Sequence, residues 1–263
     1  YKPSPYLLSS IIKYQKKKYK IEDFTLDSLW KNNINFKDQE KLNNFFWFFS
    51  LDLKSSKKTV QSVIISWITN NKRYNQSSWD IGITSKRIIS WLSNHQLTYE
   101  DSDQQYKLKF DRIIQKQTNH LLNEIKNLNN FENKMIGCVA IILTGLAYQD
   151  RKNYLDNGLN LLKSIIKSSF DNQGFPKTRS IRQLRFYLKY FIIIREWFKE
   201  SQNTVPEYID ETIYYLGLSY AFIWQNINHD ILFNGNYISN NSDFDQYLKR
   251  FGYKFKNENK EHA

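Results

Sequence analysis

The chain has a single cysteine among its 263 residues, Cys138, so no internal disulfide can form. Cys138 lies in the apolar run MIGCVAIIL, where a buried thiol acts as a small hydrophobe. Glycine and proline are scarce, 8 and 4, and fall mostly at junctions. No segment sustains the two-residue alternation of a half-buried strand, which speaks against a sheet-based fold. No apolar run reaches the ~18 residues needed to span a membrane, so no transmembrane segment is expected. No fixed-period motif recurs, which excludes tetratricopeptide and ankyrin arrays. A Gly-rich phosphate loop, a nucleophile elbow and a C-x-x-C pair are all missing, leaving nucleotide-dependent and thiol chemistry unsupported. His95 and His120 have no partner at metal-ligand spacing, so neither a metal nor a cofactor is expected. Methionine occurs once, at Met135, and the chain opens on Tyr1. The expectation is therefore a segment of a longer protein, with a signal peptide or partner domains outside it.

What the chain has in quantity is helical patterning, aromatic side chains and positive charge. Residues 1–35 read as a basic arm and lead-in, and residues 36–228 as one helical domain. Residues 229–263 read as a turn-rich connection, with a peripheral tail from Asp243. Within the helical part, a first buried helix is expected from near Asp38 through LNNFFWFFSL to Leu53. Further helices follow over 56–70, 84–95 (capped by Thr84 or Ser85), about 103–128, 132–148 and 152–169. The strongly apolar helix capped by Thr178 or Ser180, and one from Pro206 to Trp224, complete the set. Gly137 and Gly145 would let the 132–148 helix approach its neighbours closely. Helices in sequence with short joints form antiparallel hairpins, so the expected class is all-α, an (α/α) toroid or an incomplete helical-hairpin barrel.

A net charge of +12 suits a polyanion: nucleic acid, anionic lipid or acidic polysaccharide. AT-rich coding, which favours Lys, Asn, Ile and Tyr, is the competing source of that charge. No nucleic-acid-binding motif is recognisable, so nucleic acid is not the expected partner. Aromatic content is 16%, and most rings fall on apolar helix faces, where they read as core.

Five features occur in order: Trp79 with K-R-I-I-S-W-L (86–92), a long helix, E-N-K (132–134), the turn-plus-helix FDNQGFPKTRSIRQL (170–184), and L-F-N-G (232–235). In this order the chain resembles the N-terminal helical, alginate-lyase-like domain of the heparinase II/III-like family over about residues 38–240. The resemblance implies a toroid followed by a C-terminal β-sandwich of the same protein. It also implies a periplasmic or cell-envelope location and β-elimination on uronic-acid-containing polysaccharides. That reaction needs a neutraliser for the sugar carboxylate, a base for the α-proton and an acid for the leaving oxygen.

Carried over by position, Asn133 matches the carboxylate-neutralising asparagine of N-N-H, and Lys134 stands where that motif has histidine. Read alone, Asn133 is equally a helix cap and Lys134 a solvated lysine. In the family's D-G-x-x-x-E-x-S-x-x-Y-H pattern, Gly174 and Ser180 match. Gln183 falls at the tyrosine base and Leu184 at the histidine, and a Gln cannot act as a general base. Tyr187, one turn on, is the substitute candidate. Arg179, Arg182 and Arg185 recur every three residues and form a basic stripe, either a subsite for acidic groups or a solvated face. Arg87 is either a groove residue or a structural partner of an acid such as Asp80. His229 could face an interdomain site. Three readings result: a polysaccharide-lyase-like domain; a glycan-binding or envelope-biogenesis protein that kept the toroid and lost the base; and, weakest, a helical scaffold that binds nucleic acid through its positive charge.

Overall fold

The computed structural model describes residues 1–3, 36–52, 54–150, 152–225, 231–233, 236–238, 242–250 and 252–255. The fold is all-α. Among the described residues, strand is confined to one short antiparallel hairpin. No described helix is long and apolar enough to cross a membrane. The chain divides into two compact units, Tyr1–Asn160 and Leu161–Ala263. The expected boundaries at 35/36 and 228/229 fall in or beside segments outside the described residues.

The first unit holds α1 (Phe36–Asn44), α2 (Lys57–Asn70), α3 (Gln76–Trp79), α4 (Ile81–Ser93), α5 (His95–Thr98), α6 (Gln104–Glu124), α7 (Phe131–Ala147) and the start of α8 (Lys152–Ser169). The expected first helix is in fact broken. Phe45 adopts the left-handed conformation, φ 59°, and a short 3-10 turn follows from Phe46 to Ser50. The break serves the core: Phe45 is fully buried and packs edge-on against Phe48, Trp67 and Trp91. Such pairs add ~0.5–1.5 kcal/mol beyond their buried area.

Starts of helices are set by caps. Ser56 accepts from Thr59 N at the head of α2, Asp103 from Tyr106 N at α6, and Asn130 from Asn133 N at α7. Asp80 accepts from Gly82 N and Ile83 N, so α4 begins three residues before Thr84. Thr84 and Ser85 are fully buried inside the helix and cap nothing. An aspartate is the stronger cap because its charge also complements the positive end of the helix.

Helices α4 and α7 run side by side in the same direction. A Cβ added to Gly82 would meet Asn133 Oδ1 at 2.5 Å, and one added to Gly137 would lie 3.5 Å from Ser85 Oγ. The close approaches expected at Gly137 and Gly145 are present. Added Cβ atoms would meet Ile125 Cδ1 at 2.4 Å and the Leu155 backbone nitrogen at 2.4 Å. Cys138 is buried and its thiol donates to Gly158 O at 3.3 Å; burial pushes the thiol pKa up, so it is inert.

The second unit holds the end of α8, α9 (Ile181–Glu200), α10 (Glu207–Gln225), β1 (Ile231–Phe233), β2 (Asn236–Ile238) and α11 (Ser242–Arg250). Ile231 pairs with Ile238 and Phe233 with Asn236. The tail is not peripheral, contrary to expectation. Phe244, Tyr247 and Leu248 of α11 are buried, and Tyr220 donates to Asp245 at 2.7 Å. The spacing of those three apolar residues puts them on one helix face, which explains the docking.

Candidate functional site

The turn before α9 is built around Asp171. Its Oδ1 accepts from Gln173 N at 3.0 Å and Phe175 N at 2.9 Å, and its Oδ2 accepts from the Arg179 guanidinium at 2.6 Å. Burial works against the charge. The Phe175 and Gln173 N–H groups and Arg179 outweigh it and hold the carboxyl below the usual aspartate range. Gly174 takes φ +72°, and a Cβ there would lie 2.3 Å from Tyr215 Cβ, so the tight return requires glycine. A backbone bridge between Phe170 and Pro176 closes the loop.

Ser180 then caps α9, accepting from Gln183 N at 3.3 Å. This placement revises the basic stripe. Arg179 is not helical; it precedes the cap at φ 56° and is paired with Asp171. Arg182 is exposed and Arg185 half-buried, both in the first turns of α9. The Gln183 side-chain oxygen accepts from the Thr178 hydroxyl at 2.7 Å.

Tyr187 is corrected as a base candidate. It is 1% exposed, edge-on to Phe170, and its hydroxyl donates to Ser169 Oγ at 3.1 Å. A phenol on the inner face of an amphipathic helix cannot meet a polymeric substrate.

In the first unit, Asn133 and Lys134 are half-buried in the first turn of α7. Asn133 is not the cap of this helix, since Asn130 fills that role, and its side-chain amide lies against Gly82 at the start of α4. Two parallel helix N-termini therefore meet beside Asn133 and Lys134, and both already have carboxylates: Asp80 caps α4 and Glu132 lies in the first turn of α7.

Arg87 is corrected as a substrate-binding residue. It is fully buried. It donates to Gln117 Oε1 at 3.0 Å, Asn43 O and Ser78 O at 2.9 Å each, and Thr84 Oγ1 at 3.2 Å. Its guanidinium lies 3.9 Å from the centre of the Trp67 ring. Among the described residues it has no carboxylate partner; Asp80 caps α4 instead. Burial pushes the guanidinium pKa down, and neutral acceptors and a π-face replace its water.

Both lone histidines have neighbours. His120 Nε2 lies 2.9 Å from Trp79 O, and His95 Nδ1 lies 3.5 Å from Glu100. Among the described residues no group of His, Cys, Asp and Glu is arranged to hold a metal ion. His229, Asn234 and Gly235 lie outside the described residues.

The turn over Asp171, Asn172, Gln173 and Gly174 is readable in the sequence, an Asp three residues before a Gly being a turn signal, but the pairing of Asp171 with Arg179 is not. Nothing in sequence spacing marked Gln117 or Asn43 as partners of Arg87. Comparison with protein families, with characterised proteins and with solved structures finds no match.

Proposed function

We propose that this chain is a polysaccharide-lyase-like helical domain that holds acidic, uronic-acid-containing glycans. Support comes from the heparinase II/III-like order of its motifs, and from Arg182 and Arg185 in the first turns of α9. Lys134, in the first turn of α7 beside Asn133, is a further cation for carboxylates. An (α/α) toroid in an envelope or periplasmic protein, continued by a β-sandwich, is the setting that the resemblance suggests.

The geometry favours holding the glycan over cleaving it with these residues. One observation carries that choice: Tyr187 is sealed in the core, while the resemblance puts Gln183, which cannot act as a base, at the base position. Elimination would need a base other than Gln183 and Tyr187. The experiment pairs two readouts on the purified chain, binding to a uronate polymer against neutral dextran, and ultraviolet absorbance of unsaturated uronides. Selective uronate binding with flat absorbance is expected. Equal affinity for dextran would remove the glycan reading, and rising absorbance would remove the non-catalytic one.

A further inference from the structure

In the first unit, the joint between α2 and α3, residues 71–75, packs against α6 and is tied down at several points. Trp79 Nε1 donates to Asn71 O at 3.0 Å, and Asn75 caps α3 by accepting from Ser78 N at 2.9 Å. From α6, Lys116 Nζ donates to Lys72 O at 2.5 Å. The Tyr74 ring rests against His120 of α6, with ring centres 5.4 Å apart. Held in this way, the joint presents Lys72, Arg73 and Tyr74 to solvent, and Tyr74 is 64% exposed.

Helix α6 continues the positive charge. At 3.6 residues per turn, Gln105, Lys109, Arg112, Lys116, His120 and Asn123 share a sector of about 80°. All but the half-buried His120 are exposed, and no acid lies in the sector. Among the described residues, Lys72, Arg73, Lys109 and Arg112 have no ion-pair partner. Exposed acids stand outside the sector: Glu124 further round α6, and Asp80, Asp150 and Asp156 on other segments. Asp111 points elsewhere, accepting from Tyr148 at 2.7 Å and Tyr99 at 3.1 Å. Five cations thus line one strip with an exposed ring at its end. From Lys109 to His120 it runs ~16 Å along the helix.

We propose that this strip binds a stretch of acidic polysaccharide, with Lys72, Arg73, Lys109, Arg112 and Lys116 facing successive acidic groups and Tyr74 lying against a sugar ring. A row of cations of this length matches a chain of charges better than a single small anion. Arginine offers paired donors to a carboxylate or sulfate, and the tyrosine an apolar body with a polar tip. The ligand class rests on the glycan reading above. The strip itself also favours it over single-stranded nucleic acid, whose binders stack successive bases on several rings where this surface exposes one. None of its residues belongs to the starts of α7 or α9, so it is a second place of attachment.

The test measures binding of the full chain to a uronate polymer, and to poly-dT of equal charge, at low salt and at about 1 M salt. The triple variant Lys72→Gln, Arg73→Gln, Arg112→Gln should weaken uronate binding ~10-fold or more at low salt, with little difference at high salt. A control with the same loss of charge elsewhere, Lys54→Gln, Lys58→Gln, Lys249→Gln, should weaken it less than ~2-fold. All six side chains are exposed, so neither variant disturbs the core. Tyr74→Ala should weaken binding ~3-fold at both salt concentrations, since ring contact is not screened. Equal losses in the two triple variants would overturn the proposal, because net charge alone would then account for binding. Uronate binding left intact by the strip variant would overturn this site and spare the glycan reading. A chain that binds no uronate would overturn both. Poly-dT bound more tightly than uronate, and released by the strip variant, would overturn the choice of glycan and give the strip to nucleic acid.

Discussion

Arg87 and the α9-start arginines are the same residue in opposite circumstances. Arg87 is sealed in the first unit and bonded to four neutral acceptors. In the second unit, Arg182 is exposed, and Arg179 is 55% exposed and tied to a single aspartate. A guanidinium surrounded by dipoles is an architectural element, because removing it strands every acceptor it had satisfied. A guanidinium at the exposed edge of a helix start can be removed at less cost to the fold, because water solvates the groups it leaves. Neighbouring sequence does not distinguish the two; the depth of the helix face does.

Substitution of Arg87 should sharpen the contrast most. Arg87→Ala leaves Asn43 O, Ser78 O and Gln117 without a partner in the core, and Arg87→Lys replaces a planar fork by a point charge. A loss of ~3 kcal/mol or more is expected for the alanine variant in urea denaturation. A loss below ~1 kcal/mol would mean that water takes over the acceptors. Asn130→Ala should cost ~1 kcal/mol by removing the cap of α7, while Asn133→Ala should cost less. Equal losses would return the capping role to Asn133.

Tyr187→Phe removes the hydroxyl that bonds Ser169 and should cost ~1 kcal/mol, with uronate binding unaltered. Arg182→Ala should shift stability by less than ~0.5 kcal/mol. It should weaken uronate binding in a salt-dependent way. Stability loss without binding loss would put Arg182 in the same class as Arg87.

The smallest expected effect is a pH response at the Asp171 turn. Its folded carboxyl titrates below the unfolded one, so its contribution is present above the unfolded value of ~3.9. That contribution is lost as pH falls through the folded value. In Asp171→Asn, the acid-side slope of stability should flatten in that window. An unchanged slope would assign the acid response to other carboxylates.

The helices were legible because their apolar residues recur at helical spacing; Val60, Val63, Ile64 and Trp67 are all buried as that pattern requires. Ends were less legible wherever two caps competed, as at Asp80 against Thr84 or Asn130 against Asn133. Periodicity ranks faces but not depth, so Tyr187 was read as reachable although its face is the buried one. The bonds of Arg87 to Asn43 and Gln117 join residues 44 and 30 positions away, and no local pattern records such pairings. The cluster of Tyr99, Asp111 and Tyr148 was illegible for the same reason.

Phe45 carries a consequence for how mutable this chain is. Its backbone conformation, φ 59°, is one that glycine and asparagine adopt readily and aromatic residues rarely do. Its side chain fills the space between Phe48, Trp67 and Trp91, which only a large ring can fill. Its carbonyl also accepts the Ser90 hydroxyl at 2.6 Å. Glycine would relax the backbone and empty the core; leucine would keep part of the packing and retain the strain. In a saturation library scored for folding, position 45 should be among the least permissive, with only other aromatics surviving. Its backbone suits glycine and its surroundings demand a ring, and no single residue is best at both.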